Sequence, residues 1–141
     1  MTKIKLCGLS QGCDIEAVNA LQPDYIGFVF SGKSRRYVPP EKAAALRRML
    51  RPEIRAETST ADEILLDAGA GTGTAFDWTL LQGVDRRYFL AGGLNPENVR
   101  DAIRSVRPYG VDVSSGIETD FRKDQEKMAA FVAAVREENR Q

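Results

Sequence analysis

The chain has 141 residues, enough for one domain with a real core. Acidic and basic residues balance at 20 each, so net charge alone draws the chain to neither nucleic acid nor an anionic membrane. Histidine is absent, which removes the commonest transition-metal ligand and leaves acid–base chemistry to Asp, Glu, Cys, Lys or Tyr.

Taken in order, Ile4-Lys5-Leu6-Cys7 reads as a short first strand, and a helix around 14–21 follows with Ile15, Val18 and Leu21 on one face. Met1–Lys5 runs straight into that strand without the apolar core of a signal peptide. Tyr25 to Phe30 is a nearly continuous apolar run, suited to a strand buried on both faces. A basic loop from Ser31 to Val38 carries Lys33, Arg35 and Arg36, and Pro39-Pro40 opens a helix to about Leu50. Residues 51–62 form an irregular junction in which Ile54-Arg55-Ala56 begins a strand and stops.

Ile64-Leu65-Leu66-Asp67 is a clear strand, followed by a Gly/Thr loop from Ala68 to Thr74 and a short helix after Phe76-Asp77-Trp78. Tyr88–Ala91 is the next strand. Asn95 caps a helix that starts at Pro96 and runs to about Val106. Gly110–Val113 is the last strand. The final helix spans about 123–138, with Met128, Phe131, Val132 and Val135 as its buried stripe. No apolar run approaches the roughly 20 residues of a membrane span. With Cys7 and Cys13 read as free thiols, these features predict a soluble, cytoplasmic protein with no membrane or nucleic-acid partner.

Each strand ends in small or reactive residues, and helices follow most of them. That alternation predicts a parallel α/β protein whose working groups sit at the carboxyl edge of its sheet. A full (β/α)8 barrel takes about 250 residues, or roughly 25 to 30 per βα unit. The length allows about five units, and about five are legible.

Cys7 ends the first strand. As a free thiol it is either a small buried hydrophobe or, with its pKa lowered by nearby cations, a base or nucleophile. Asp67 is either a turn former or a general acid in a partly dry mouth. Gly71-Thr72-Gly73, Gly92-Gly93 and Ser114-Ser115-Gly116 lie in three successive strand-to-helix loops. Each alone is an ordinary tight turn, but together at one sheet end they favour a phosphate site. Arg35 and Arg36 are either a solvated basic loop or a clamp on a carboxylate.

The stretches KIKLCGL, DYIGFVFSGKSRRYV, ILLDAGAGTGTAFDWTLL, FLAGGLNPENVRDAI and PYGVDVSSGIET, with the Lys123-Asp124 pair, together resemble the phosphoribosylanthranilate isomerase family of TIM barrels. The resemblance covers nearly the whole chain apart from 51–62. It implies the Amadori rearrangement of N-(5-phosphoribosyl)anthranilate in tryptophan biosynthesis, with no cofactor and no metal. It also implies roles: Asp67 as general acid, Cys7 as general base, Arg36 on the substrate carboxylate. Gly71, Thr72, Gly73, Gly92, Gly93, Ser114, Ser115 and Gly116 hold the phosphate, and Asp112 supports the pocket.

Two departures stand against that pattern. The chain passes from the third barrel strand, near Ile54, to the approach to the sixth, near Ala61, so strands three to five are missing. Phe121 stands where the family pattern has glycine before the Lys-Asp pair. The expected fold is therefore a single shortened TIM-barrel-like domain over 1–141, an incomplete (β/α)8 barrel, with the remaining strands in the spatial order second, first, eighth, seventh, sixth. Its two unpaired edges suit a homo-oligomer. The alternative function is a non-catalytic sugar-phosphate-binding remnant or an assembly module that needs a partner chain.

Overall fold

The small residues that interrupt the apolar runs end the strands. A computed structural model of the chain describes residues 1–56, 64–67, 78–81 and 83–141, with the backbone alone for 64–67, 79 and 80. The strands are β1 (Lys3–Cys7), β2 (Tyr25–Gly27), β3 (Arg55–Ala56), β4 (Ile64–Asp67), β5 (Tyr88–Ala91) and β6 (Gly110–Val113). They form one parallel sheet in the order β3-β2-β1-β6-β5-β4. This is the spatial order that the family resemblance implies, with the two-residue β3 added beside β2. Among the described residues no pairing joins β3 to β4, so the sheet is an open part of a barrel.

The helices are α1 (Gly12–Leu21), α2 (Pro40–Arg48), α3 (Val99–Val106) and α4 (Gln125–Glu138), with a 3-10 turn at Trp78–Leu81. Side chains alternate across the sheet. Ile4, Leu6, Ile26, Leu90, Val111 and Val113 meet the helices, where Ile15, Val18, Ile103, Met128, Phe131 and Val132 are buried with them. Each fully buried aliphatic or aromatic side chain of this layer contributes about 1.5–3 kcal/mol.

The opposite face, which would line a closed barrel, is covered differently. Phe89 is 2% exposed. Its ring makes edge contacts with Tyr25 and Tyr109 at centroid distances of 5.5 and 5.6 Å. Gly110 makes room for it, because a Cβ there would fall 2.3 Å from a Phe89 ring atom. Above this aromatic layer, Lys5 and Asp112 form an ion pair at 3.3 Å across β1 and β6. The inner face is thus filled at its base by aromatic rings and left polar toward the carboxyl edge.

Three expectations need correction. β2 stops at Gly27, not Phe30. Beyond Gly27, β1 turns away at Gly8 and β3 has already ended, so Phe28–Phe30 have no ladder to join. Val29 makes an isolated bridge to Tyr37, and Phe30 is left 54% exposed. Regular helix α3 begins at Val99 rather than Pro96, although Asn95 does accept hydrogen bonds from the Glu97 and Asn98 N–H groups, both at 2.9 Å. Lys123 is not in the last helix. It belongs to a hairpin, β7 (Glu118–Thr119) with β8 (Arg122–Lys123), and α4 starts after its cap Asp124.

Candidate active site

The parallel register brings the carboxyl ends of β1, β6, β5 and β4 to one edge. Cys7 closes β1 and is half-buried. Its sulfur lies over Gly27, where a Cβ would fall 2.8 Å away, so the glycine of β2 opens the space for the thiol. Burial pushes the Cys7 thiol above its ordinary value, and the Asp112 carboxylate adds to the rise. Lys5 and Lys123 pull it down without reversing the shift. The lowering by nearby cations that one of the two sequence readings of Cys7 invokes is outweighed here by dehydration.

Asp67 ends β4 with its backbone in register with Ala91 of β5. In the sheet order β5 and β6 stand between its strand and that of Cys7. The two positions share the carboxyl edge. Gly92 and Gly93 turn the chain out of β5 with φ of +90° and +67°. Ser114 follows β6, and Ser115 and Gly116 lie in a 3-10 turn (Ser115–Ile117). Pairing of β5 with β6 sets these two loops at neighbouring strand ends. Gly71, Thr72 and Gly73 lie outside the described residues. Asp112 is buried and ion-paired with Lys5.

Arg36 is not an empty clamp. Its Nε donates to Glu118 Oε1 at 2.6 Å and its Nη2 to Oε2 at 2.9 Å, a bidentate pair. Lys123 Nζ donates to the same carboxylate at 2.7 Å and to the Ser114 carbonyl oxygen at 2.9 Å. Burial works to raise the Glu118 pKa, but its bonds to Arg36 and Lys123 prevail and hold the carboxyl below its usual range. Burial lowers the pKa of Lys123, against the pull of Glu118. The network ties the loop after β2 to the hairpin after β6.

Gly8 makes the crossing possible. It has φ of +76°, and a Cβ there would fall 2.5 Å from Arg36 Cδ and 2.8 Å from Ser114 Oγ. Gly8→Ala is expected to cost about 1–2 kcal/mol through the backbone alone and to displace Arg36. Thermal melting and the affinity for an anionic ligand should fall together. A variant with unchanged affinity would show that Arg36 does not need this path.

Arg36, Glu118 and Lys123 line a cavity of about 430 Å³ with Gly8, Arg35 and Phe121, a size suited to a small molecule. Sequence reasoning missed Glu118 and gave Lys123 no role. The signal was present as opposite charges flanking Asp120, but Phe121 disguised the turn. Among the described residues no cluster of His, Cys, Asp and Glu could hold a metal ion.

Known proteins resemble this chain over nearly all of its length. A sequence model described as "N-(5'phosphoribosyl)anthranilate (PRA) isomerase" matches residues 50–134. An N-(5'-phosphoribosyl)anthranilate isomerase of Acetivibrio thermocellus is 34% identical over 212 aligned positions, covering 97% of each chain. One from Streptococcus pneumoniae is 33% identical over 193, covering 96% of each. The aligned length of 212 exceeds the 141 residues of this chain by 71, so at least that many positions of the relative have no counterpart here. The crystal structure of phosphoribosyl anthranilate isomerase from Thermotoga maritima superposes with a TM-score of 0.86 at 28% identity, covering 97% of this chain and 100% of that one. A structure of such an isomerase in complex with reduced 1-(o-carboxyphenylamino)-1-deoxyribulose 5-phosphate gives 0.82, with the same identity and coverage. The family model and the relatives' identity over nearly the whole chain show that the chain belongs to the N-(5'-phosphoribosyl)anthranilate isomerase family.

Proposed function

We propose that this chain converts N-(5-phosphoribosyl)anthranilate to 1-(2-carboxyphenylamino)-1-deoxyribulose 5-phosphate in the cytoplasm, with Asp67 as acid and Cys7 as base. The observation that carries this reading is the survival of the carboxyl edge: β1, β6, β5 and β4 remain contiguous, so the positions of both groups share one sheet edge. Asp67 protonates the ribose ring oxygen, the C1′–O bond breaks, and the nitrogen lone pair forms a cationic Schiff base. Cys7 then takes the proton from C2′, and the C–H electrons neutralise the iminium to give the enol, which tautomerises to the ketone. The cation formed in the first step favours the thiolate needed in the second, offsetting the raised resting pKa of Cys7. Arg36 meets the substrate carboxylate from its seat on Glu118. The loops at Gly71–Gly73, Gly92–Gly93 and Ser114–Gly116 take the phosphate, with Asp112 supporting the floor. Neither step calls for a metal or an organic cofactor.

The test is complementation of a bacterial strain that lacks this isomerase. The chain should restore growth without tryptophan, and its Cys7→Ser variant should not. Growth with both, or with neither at confirmed expression, contradicts the assignment.

The open edges at β3 and β4 favour a second reading, a non-catalytic module completed by another copy of the chain. Size-exclusion chromatography separates the two: an active monomer rules out the module, and an inactive dimer supports it.

A further inference from the structure

Phe121 occupies a backbone position that disfavours it. The two central residues of the β7–β8 hairpin, Asp120 and Phe121, have φ of +50° and +62°. Tight hairpins use such turns because their twist matches the strands, and they favour Asn, Asp or Gly. A bulky residue at positive φ is an outlier. The ring gains no burial in return, since Phe121 is 70% exposed.

The ring instead faces a charged cavity. The Arg35 guanidinium carbon lies 4.0 Å from the Phe121 ring centroid, a cation–π stack, and both residues line the cavity that holds Arg36 and Glu118. The acidic groups of that cavity are already committed. Asp14 accepts the Ser10 and Gln11 backbone N–H groups, and Glu118 is held by Arg36 and Lys123. Among the described residues neither Arg35 nor Arg122 makes an ion pair. The cavity thus combines guanidinium groups that lack a carboxylate with an exposed aromatic face. Its complement is a flat aromatic ring that carries a carboxylate.

We propose that Arg35 and Phe121 form a grip for the aromatic-acid half of the substrate. The aminobenzoate ring lies against Phe121, and its carboxylate, met by Arg36, is met also by the Arg35 guanidinium beside it. This rests on the isomerase reading above and assigns Phe121 a specificity role, for binding rather than for proton transfer.

The test measures anthranilate binding by its own fluorescence and ribose 5-phosphate binding by calorimetry, for the wild-type chain, Phe121→Gly and Phe121→Tyr. Phe121→Gly should weaken anthranilate about three- to tenfold, the scale of one aromatic pair. It should leave ribose 5-phosphate unchanged and melt no lower than wild type, because glycine accepts the positive φ. Phe121→Tyr should retain the affinity. In turnover, Phe121→Gly should raise KM and spare kcat. Unchanged anthranilate affinity in Phe121→Gly, or an equal loss of both ligands, overturns the proposal. A wild-type chain that binds anthranilate through Phe121 yet does not isomerise substrate leaves the grip standing and refutes the isomerase reading.

Discussion

Cys7→Ser is expected to lower kcat by about 10²- to 10⁴-fold, the usual contribution of a positioned base. The serine hydroxyl is far more basic when ionised and is almost never ionised at neutral pH, so C2′ keeps its proton. Asp67→Asn is expected to lose a similar factor, because an amide cannot supply the proton that opens the ribose ring. Neither change removes a group that binds the phosphate, so KM should move little. The pH profile carries a further signature. Wild type needs the acid protonated and the base ionised in one enzyme form, so its kcat/KM should be level between the pKa of the acid and the raised pKa of Cys7, whereas the residual kcat/KM of Asp67→Asn, which depends on Cys7 alone, should climb with pH through the neutral range. A residual rate in Asp67→Asn that does not rise with pH, or wild-type kcat in either variant, removes the corresponding role.

Glu118→Ala should be the most damaging single change to stability away from the hydrophobic layer. Lys123 is 3% exposed in its side chain, and Glu118 is the carboxylate that meets its ammonium. Removing that partner strands a buried charge, at a cost of about 3–5 kcal/mol. It also frees the Arg36 fork. Urea unfolding should show the loss as a lower midpoint, and Glu118→Gln, which keeps hydrogen-bond acceptance without the charge, should lose less. The pH dependence has a definite sign. The folded-state pKa of Glu118 lies below its unfolded value, so its contribution is fully present above the ordinary carboxylate range. That contribution disappears as pH falls through the depressed folded value. Wild type and Glu118→Ala should therefore converge in stability in acid. Equal midpoints at pH 7 would mean that the network does not hold the hairpin.

The strands were legible because parallel strands buried by helices read as short apolar runs, each followed here by small or reactive residues; their order came from the family resemblance. Cys7, Gly92 and Ser114 could be placed at one edge from that pattern alone. Phe28–Phe30 misled because apolar content does not reveal whether a neighbouring strand exists, and here β3 ends after two residues. The hairpin was hidden because Phe121 violates the turn chemistry that would have announced it. The pKa direction of Cys7 was also out of reach, since it depends on how burial and Asp112 weigh against Lys5 and Lys123 in space. Arg36 was singled out by the family resemblance, but its bond to Glu118 joins residues 82 positions apart, which no local pattern encodes.

Loss of the middle strands removes part of the wall that a closed barrel provides, yet the inner face is not bare. Phe89, Tyr25 and Tyr109 fill its base, and the Lys5–Asp112 pair sits above them.

The most direct measurement is steady-state isomerisation by the purified 141-residue chain, followed as the fall in substrate fluorescence. Turnover by wild type, lost in Cys7→Ser and Asp67→Asn with folding preserved by circular dichroism, is the predicted result. A folded wild-type chain that binds the reduced product analogue but produces no ketone would contradict it.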